Sequence, residues 1–270
     1  MIEFLRESLR QLYLLILYDV RKIFRYKIFI LMRVAWFTVQ VGFFAYLITA
    51  VVGQRFGAQA TYYHFYLLGA YTSILFTITM FRGYEIAQEF EEGVIEYMLS
   101  LPIKRRILAI GRILGGSISS FFLSLPMFLI VIILLGGFEP IAILSAALSA
   151  YLFSIGVVGL SISIVFLLKS GDVTDIAFGM MDSLLVRLST VFYPATILLS
   201  FLPYYYVGVS NPLSYLADFL RWIFYPSELG KYLIQDDPAK ILFFLLGFSI
   251  SLTTLATIFI EKRVEGGGWK

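Results

Sequence analysis

Six apolar runs, each long enough to cross a hydrocarbon layer of ~30 Å as a helix rising ~1.5 Å per residue, leave this chain few ways to fold. They occupy residues 28–52, 62–81, 107–135, 141–168, 176–193 and 241–260. Lipid offers a backbone no hydrogen-bond partner, so each run must be helical and the expected fold is an all-α polytopic membrane protein. The breaks carry turn chemistry: Gly53 and Gly57 bracket the first, and Gly136, Gly137 and Pro140 form the third. Ser170, Gly171 and Asp172 interrupt the fourth and fifth runs, and Asp236, Asp237 and Pro238 precede the last. With 60% of residues hydrophobic and 14% charged, little remains to build a water-solvated domain. No internal repeat, linker or low-complexity tract divides residues 1–270, which read as one domain.

Six crossings place both termini on one side. Fifteen Lys and Arg fall on that side, including Arg21, Lys22, Arg82, Lys104, Arg105, Arg106, Arg112 and Lys169. Four fall on the other: Arg55, Arg221, Lys231 and Lys240. The positive-inside bias then puts both termini in the cytoplasm and the chain in the cytoplasmic membrane. Basic residues beside apolar runs set topology, so the net charge of +3 implies no nucleic-acid partner. Without cysteine and with one histidine, disulfides, thiolate chemistry and His-rich metal sites are excluded, and no metal is expected. No cleavable leader is expected, because the first 27 residues mix acids and bases and end in a basic cluster.

Two flanking segments look amphipathic or interfacial. Leu5, Leu9, Leu12, Tyr13, Ile16, Leu17, Val20 and Phe24 recur at spacings of three and four, predicting either a helix on the inner membrane surface or an extension of the first span. Between the fifth and sixth runs, Pro194, Pro203, Pro212 and Pro226 chop an aromatic stretch into pieces too short to span, as in a re-entrant outer segment. Charges inside the runs are costly, about 2.5–3.5 kcal/mol each at mid-helix. Arg33 lies near the inner end of its run and can snorkel. Asp182 and Arg187 lie deeper and five residues apart, off helical pairing, so packing against another helix and lining a path both stay open. His64 reads as an interfacial hydrogen bonder.

Residues 83–106 carry the densest charge. As one helix, Glu85, Glu89, Glu92 and Glu96 would share a narrow stripe, and Ile86, Phe90, Val94, Tyr97 and Leu101 another. Gly93 costs ~1 kcal/mol in a helix and hints at a break or a close contact. Pro102 stops the helix, and Lys104, Arg105 and Arg106 anchor the next span. A solvated charge run is the plainer reading. The interleaved large apolar residues favour a docking surface.

The run Glu89-Phe90-Glu91-Glu92-Gly93-Val94-Ile95-Glu96-Tyr97-Met98-Leu99-Ser100-Leu101-Pro102 resembles the acidic, Pro-terminated loop of the type-2 permeases of ATP-binding-cassette (ABC) exporters. Phe192-Tyr193-Pro194, Leu202-Pro203 and Asn211-Pro212 with Asp218 and Arg221 resemble the same family's Pro-rich segment before its last span. Val94 departs from the family's usual Thr. The resemblance implies a coupling helix, here Glu85, Glu89, Phe90, Glu91, Glu92, Gly93, Glu96 and Pro102, seated in a separate ATPase subunit that binds ATP and Mg. It also implies an exporter, a second permease copy completing the path as a homodimer or with a sister chain, and an outer segment gating the exit.

The chain lacks Gly-x-x-x-x-Gly-Lys-Ser/Thr, so ATP hydrolysis is expected elsewhere and the chain is not expected to be an enzyme. An ion-gradient-driven secondary transporter, with Asp182 and Arg187 as coupling groups, is the alternative, although the paired half repeats of such carriers are missing. A membrane-embedded enzyme would need a cluster of His, Asp or Glu that the sequence does not offer. Which substrate is carried is not legible.

Overall fold

The computed structural model describes residues 2–23, 27–52, 59–137 and 139–264, all of whose regular elements are helices. The expected turn at 53–57 and the Gly-rich tail at 266–270 lie outside the described residues. Helix α1 (Ile2–Ile23) precedes α2 (Lys27–Val39), which passes through a π-helical turn at Gln40–Phe44 into α3 (Ala45–Val52). The long α4 (Gln59–Glu91) is followed by short α5 (Val94–Ser100), then by α6 (Arg105–Leu134) and α7 (Pro140–Leu168). Helix α8 (Gly171–Arg187) leads into the proline-broken series α9 (Ala195–Leu198), α10 (Leu202–Ser210), α11 (Pro212–Phe224) and α12 (Pro226–Leu229), and α13 (Pro238–Val264) closes the chain.

Among the described residues, five stretches are long and apolar enough to cross a membrane: Ile30–Val51, Thr61–Glu89, Arg105–Leu134, Pro140–Leu168 and Pro238–Lys262. Helix α4 is the axis, with 78% of its apolar window buried against 22% for the first and last spans, whose remaining surface is left for lipid or a partner. The serines threaded through α6 and α7 cost little. Ser117, Ser120, Ser154, Ser161 and Ser163 each donate to the carbonyl four residues back and need no second helix.

The run expected to span at 176–193 is not among the five. Helix α8 starts earlier, at Gly171, and stops at Arg187 after 17 residues, and 188–193 continue irregularly. The segment nonetheless runs antiparallel along α4. Phe178 lies against Gly83, Thr77 Oγ1 donates to Asp182 Oδ1 at 2.6 Å, the Val191 carbonyl sits on Gly69, and Tyr62 Oη donates to the Phe192 carbonyl at 3.2 Å. From Gly83 to Tyr62 is ~31 Å along a helix. Only glycine at 69 allows the Val191 carbonyl so close, because a Cβ would overlap its oxygen.

Proline and buried charge organise the broken series. Asn211 caps α11, its Oδ1 accepting from Leu213 N at 3.0 Å while its Nδ2 donates to the Leu185 carbonyl at 2.6 Å. Arg221, counted from sequence only among the four basic residues on the side away from the termini, is 0% exposed. Its guanidinium donates to Asp218 at 3.1 Å and to the carbonyls of Val191 at 2.8 Å and Phe65 at 3.2 Å, and lies over the Phe65 ring. The bond to Val191 satisfies a carbonyl left without a helical partner beyond the end of α8, and the bond to Phe65 ties the same guanidinium to α4, so the charge serves as internal glue.

Candidate functional site

The single helix expected over residues 83–101 is two. Helix α4 continues past the apolar span to Glu91, and Gly93 then adopts φ 72° and ψ 11°, a left-handed turn that ends α4 and opens α5 in a new direction. The hint of a break at Gly93 is borne out. Leu101, preceding Pro102, is extended, so α5 ends at Ser100, and α6 begins at Arg105. Glu85 and Glu89 therefore belong to α4, Glu92 to the turn and Glu96 to α5, and the one acidic stripe does not exist.

Glu89 points inward. It is 3% exposed and accepts from Tyr18 Oη at 3.2 Å, while its two oxygens form ion pairs with Lys22 of α1 and Arg112 of α6. Arg112, also 3% exposed, turns its other nitrogen to Asp19 Oδ1 at 2.5 Å. Two carboxylates and two cations thus balance around the Tyr18 ring, whose face lies 5.4 Å from Lys22 Nζ and 5.6 Å from the Arg112 guanidinium. Gly111 and Gly115 let α1 lie this close to α6, with Leu15 over the first and the Asp19 carboxylate over the second. Burial pushes the Asp19 carboxyl up to about 6, Glu89 adding to the shift and Arg112 opposing it.

The remaining acids have separate uses. Glu85 pairs with the buried Arg82 at 2.5 Å, one turn back on α4. Glu91 accepts the Gly171 N–H at 2.7 Å and so caps the start of α8. Gln11 Nε2 donates to the Pro102 carbonyl at 3.1 Å, fastening the end of the segment to α1. Glu92 is exposed, as is Tyr97 at 67%. The side chains of Phe90 and Glu96 lie outside the described residues. Sequence reasoning missed Asp19, Lys22 and Arg112. The signal for Arg112 is a cation two turns inside an apolar helix, deeper than a residue that only marks topology needs to lie.

Among the embedded charges, Asp182 accepts from Thr77 of α4, while Arg187 is exposed at the end of α8, its carbonyl taking the Tyr204 hydroxyl. They do not pair with each other. Arg33 lies 4.9 Å over the Phe81 ring. His64 stacks on Tyr225 at 4.2 Å, and its Nδ1 is 3.6 Å from Glu228, a neighbour far away in sequence.

The segment's ends converge. Arg106 pairs with Glu261 near the end of α13, and Glu91 reaches the start of α8. The ends of α4, α7 and α13 and the starts of α6 and α8 therefore share one end of the bundle with α1. At the opposite end, Tyr225 Oη donates to the Leu135 carbonyl at 3.0 Å. A family model described as ABC-2 family transporter protein matches residues 15–185, from the α1 side of the charge node to near the end of α8. No curated protein matches the chain.

Proposed function

The chain belongs to the ABC-2 transporter family and is a multi-pass membrane permease of that class, and from that premise we propose that it exports a substrate using ATP hydrolysed by a separate ATPase subunit. Five helices and the segment 171–193 alongside α4 make six crossings, α1 lies on the inner surface, and α9–α12 form the outer re-entrant segment. The excess of Lys and Arg at the α1 end makes that end cytoplasmic, in the cytoplasmic membrane. Two permease copies, identical or sister chains, enclose the path.

One observation carries the reading: the turn and short helix at 92–100, which present Glu92 and Tyr97 at the surface, are joined through Glu89 to a buried node shared by α1, α4 and α6. A partner that pushes on Glu92 or Tyr97 therefore moves three helices rather than a loose loop. Glu85, Glu89 and Glu91 hold the coupling element in place, while Glu92, Gly93 and α5 meet the ATPase. In proteoliposomes the chain should co-reconstitute with an ABC ATPase subunit and change its rate of ATP hydrolysis. Transport by the purified chain alone, driven by a proton or sodium gradient, would overturn the reading.

A further inference from the structure

Two cavities follow one face of α4. The inner, about 90 Å³, is bounded by Thr77, Phe81 and Tyr84 of α4 and by Asp175, Phe178 and Asp182 of α8. The outer, about 460 Å³, is lined by Tyr62, Tyr66, Phe192 and Tyr193 and carries no charged residue among those lining it. Tyr62, Tyr66, Thr77, Phe81 and Tyr84 recur at helical spacing, so both cavities open on the same stripe. Asp175 and Asp182 are seven residues apart, two turns of α8, and share its face toward this stripe, with Gly179 opening space between them.

The surroundings favour positive charge over negative or none. Two carboxylates repel an anion, and a neutral apolar guest would gain nothing from Asp182, a half-buried carboxylate on a helix packed along α4 where charge is costly to hold. Aromatic faces add attraction for a cation. A cation already sits at the rim: the Arg33 guanidinium lies over Phe81 and in the field of Asp182. We propose that the inner cavity binds the charged head of an organic cation, a quaternary ammonium or amidinium carrying an apolar body. Asp182 is the principal counter-ion, Asp175 the second, Phe81 and Tyr84 supply the π faces, and Arg33 is an internal competitor that leaves when the guest arrives. The aromatic outer cavity is the next station for the same guest. This assignment rests on α4 and α8 lining the transport path.

The test uses radiolabelled benzyltrimethylammonium and the purified full chain in phosphatidylcholine nanodiscs, with no ATPase present. Saturable binding is expected. Asp182→Asn, which keeps an acceptor for Thr77, should weaken it about tenfold, and Asp175→Asn by a smaller factor. Arg33→Gln should strengthen binding, a gain that misfolding cannot imitate. The uncharged isostere neopentylbenzene should not compete. Absence of saturable binding, equal competition by neopentylbenzene, or binding unchanged in Asp182→Asn overturns the proposal. Because the assay needs no ATPase, those results leave the ABC reading standing, whereas failure to engage an ATPase removes that reading and leaves the binding result intact.

Discussion

Glu89 and Arg112, 23 positions apart, form a buried ion pair that fastens the end of α4 to the first turns of α6. Lys22 and Asp19 complete the balance from α1. Charge at this depth is costly to desolvate and is kept only when each partner is satisfied, so the node behaves as one unit.

Removing two opposed members together should therefore cost less than removing each separately would add up to. Glu89→Leu is expected to cost ~3–5 kcal/mol by leaving Arg112 and Lys22 uncompensated. The Glu89→Leu/Arg112→Leu pair should cost less than the sum of its singles. Thermal midpoints of the four proteins in one detergent measure the cycle, and additivity would show that the two residues act independently.

Glu92→Lys with Tyr97→Ala alters only exposed groups, so stability should stay within ~0.5 kcal/mol of wild type. Association with the ATPase subunit should fall. Co-purification yield beside an unchanged melting curve is the readout, and undiminished association would count against docking through this turn.

Gly93→Ala places a Cβ in the left-handed region, at ~1–2 kcal/mol. The strain falls on the direction in which α5 leaves α4. The variant should insert and fold with a modestly lower thermal midpoint, while its ATP hydrolysis with the partner responds less to substrate. An unchanged coupling ratio would show that the α4–α5 angle does not matter.

Gly69→Ala drives a methyl into the Val191 carbonyl, which is also an acceptor for Arg221. Overpacking of this kind costs ~1–3 kcal/mol, with the buried Asp218–Arg221 nucleus disturbed in addition. Low yield of monodisperse protein by fluorescence-detected size exclusion is expected. Gly179→Ala, with nothing within 4 Å of its new Cβ, should behave as wild type in the same assay.

The raised Asp19 carboxyl predicts a pH dependence. A carboxyl whose folded-state pKa, about 6, lies above its ordinary 3.8 takes up a proton more readily folded than unfolded. Its contribution to stability is full below the ordinary value and is lost as pH rises through about 6. The wild-type midpoint should thus rise between pH 7.5 and pH 5 relative to that of Asp19→Asn. Parallel pH profiles would place the titration elsewhere.

Much was legible in the linear order of residues because lipid is an unforgiving solvent. Apolar runs of sufficient length must become helices and prolines must break them, so the all-helical fold, α1 and the proline-broken series follow from composition and spacing alone. The turn at Gly93 was audible as a helix breaker. Periodicity, however, treats every exposed-looking charge alike. It could not tell that Glu89 turns toward Arg112, that Glu91 caps α8, or that Arg221 lies wholly inside, since each depends on partners 23, 80 and 156 residues away. The same holds for the run at 176–193, whose helix can stop at Arg187 because Asn211 and Tyr204 supply donors to carbonyls of its last turn and Arg221 to one beyond it. One-dimensional order decides which segments must leave water. Which charges can go with them is decided only when distant helices bring the opposite charge to the same place.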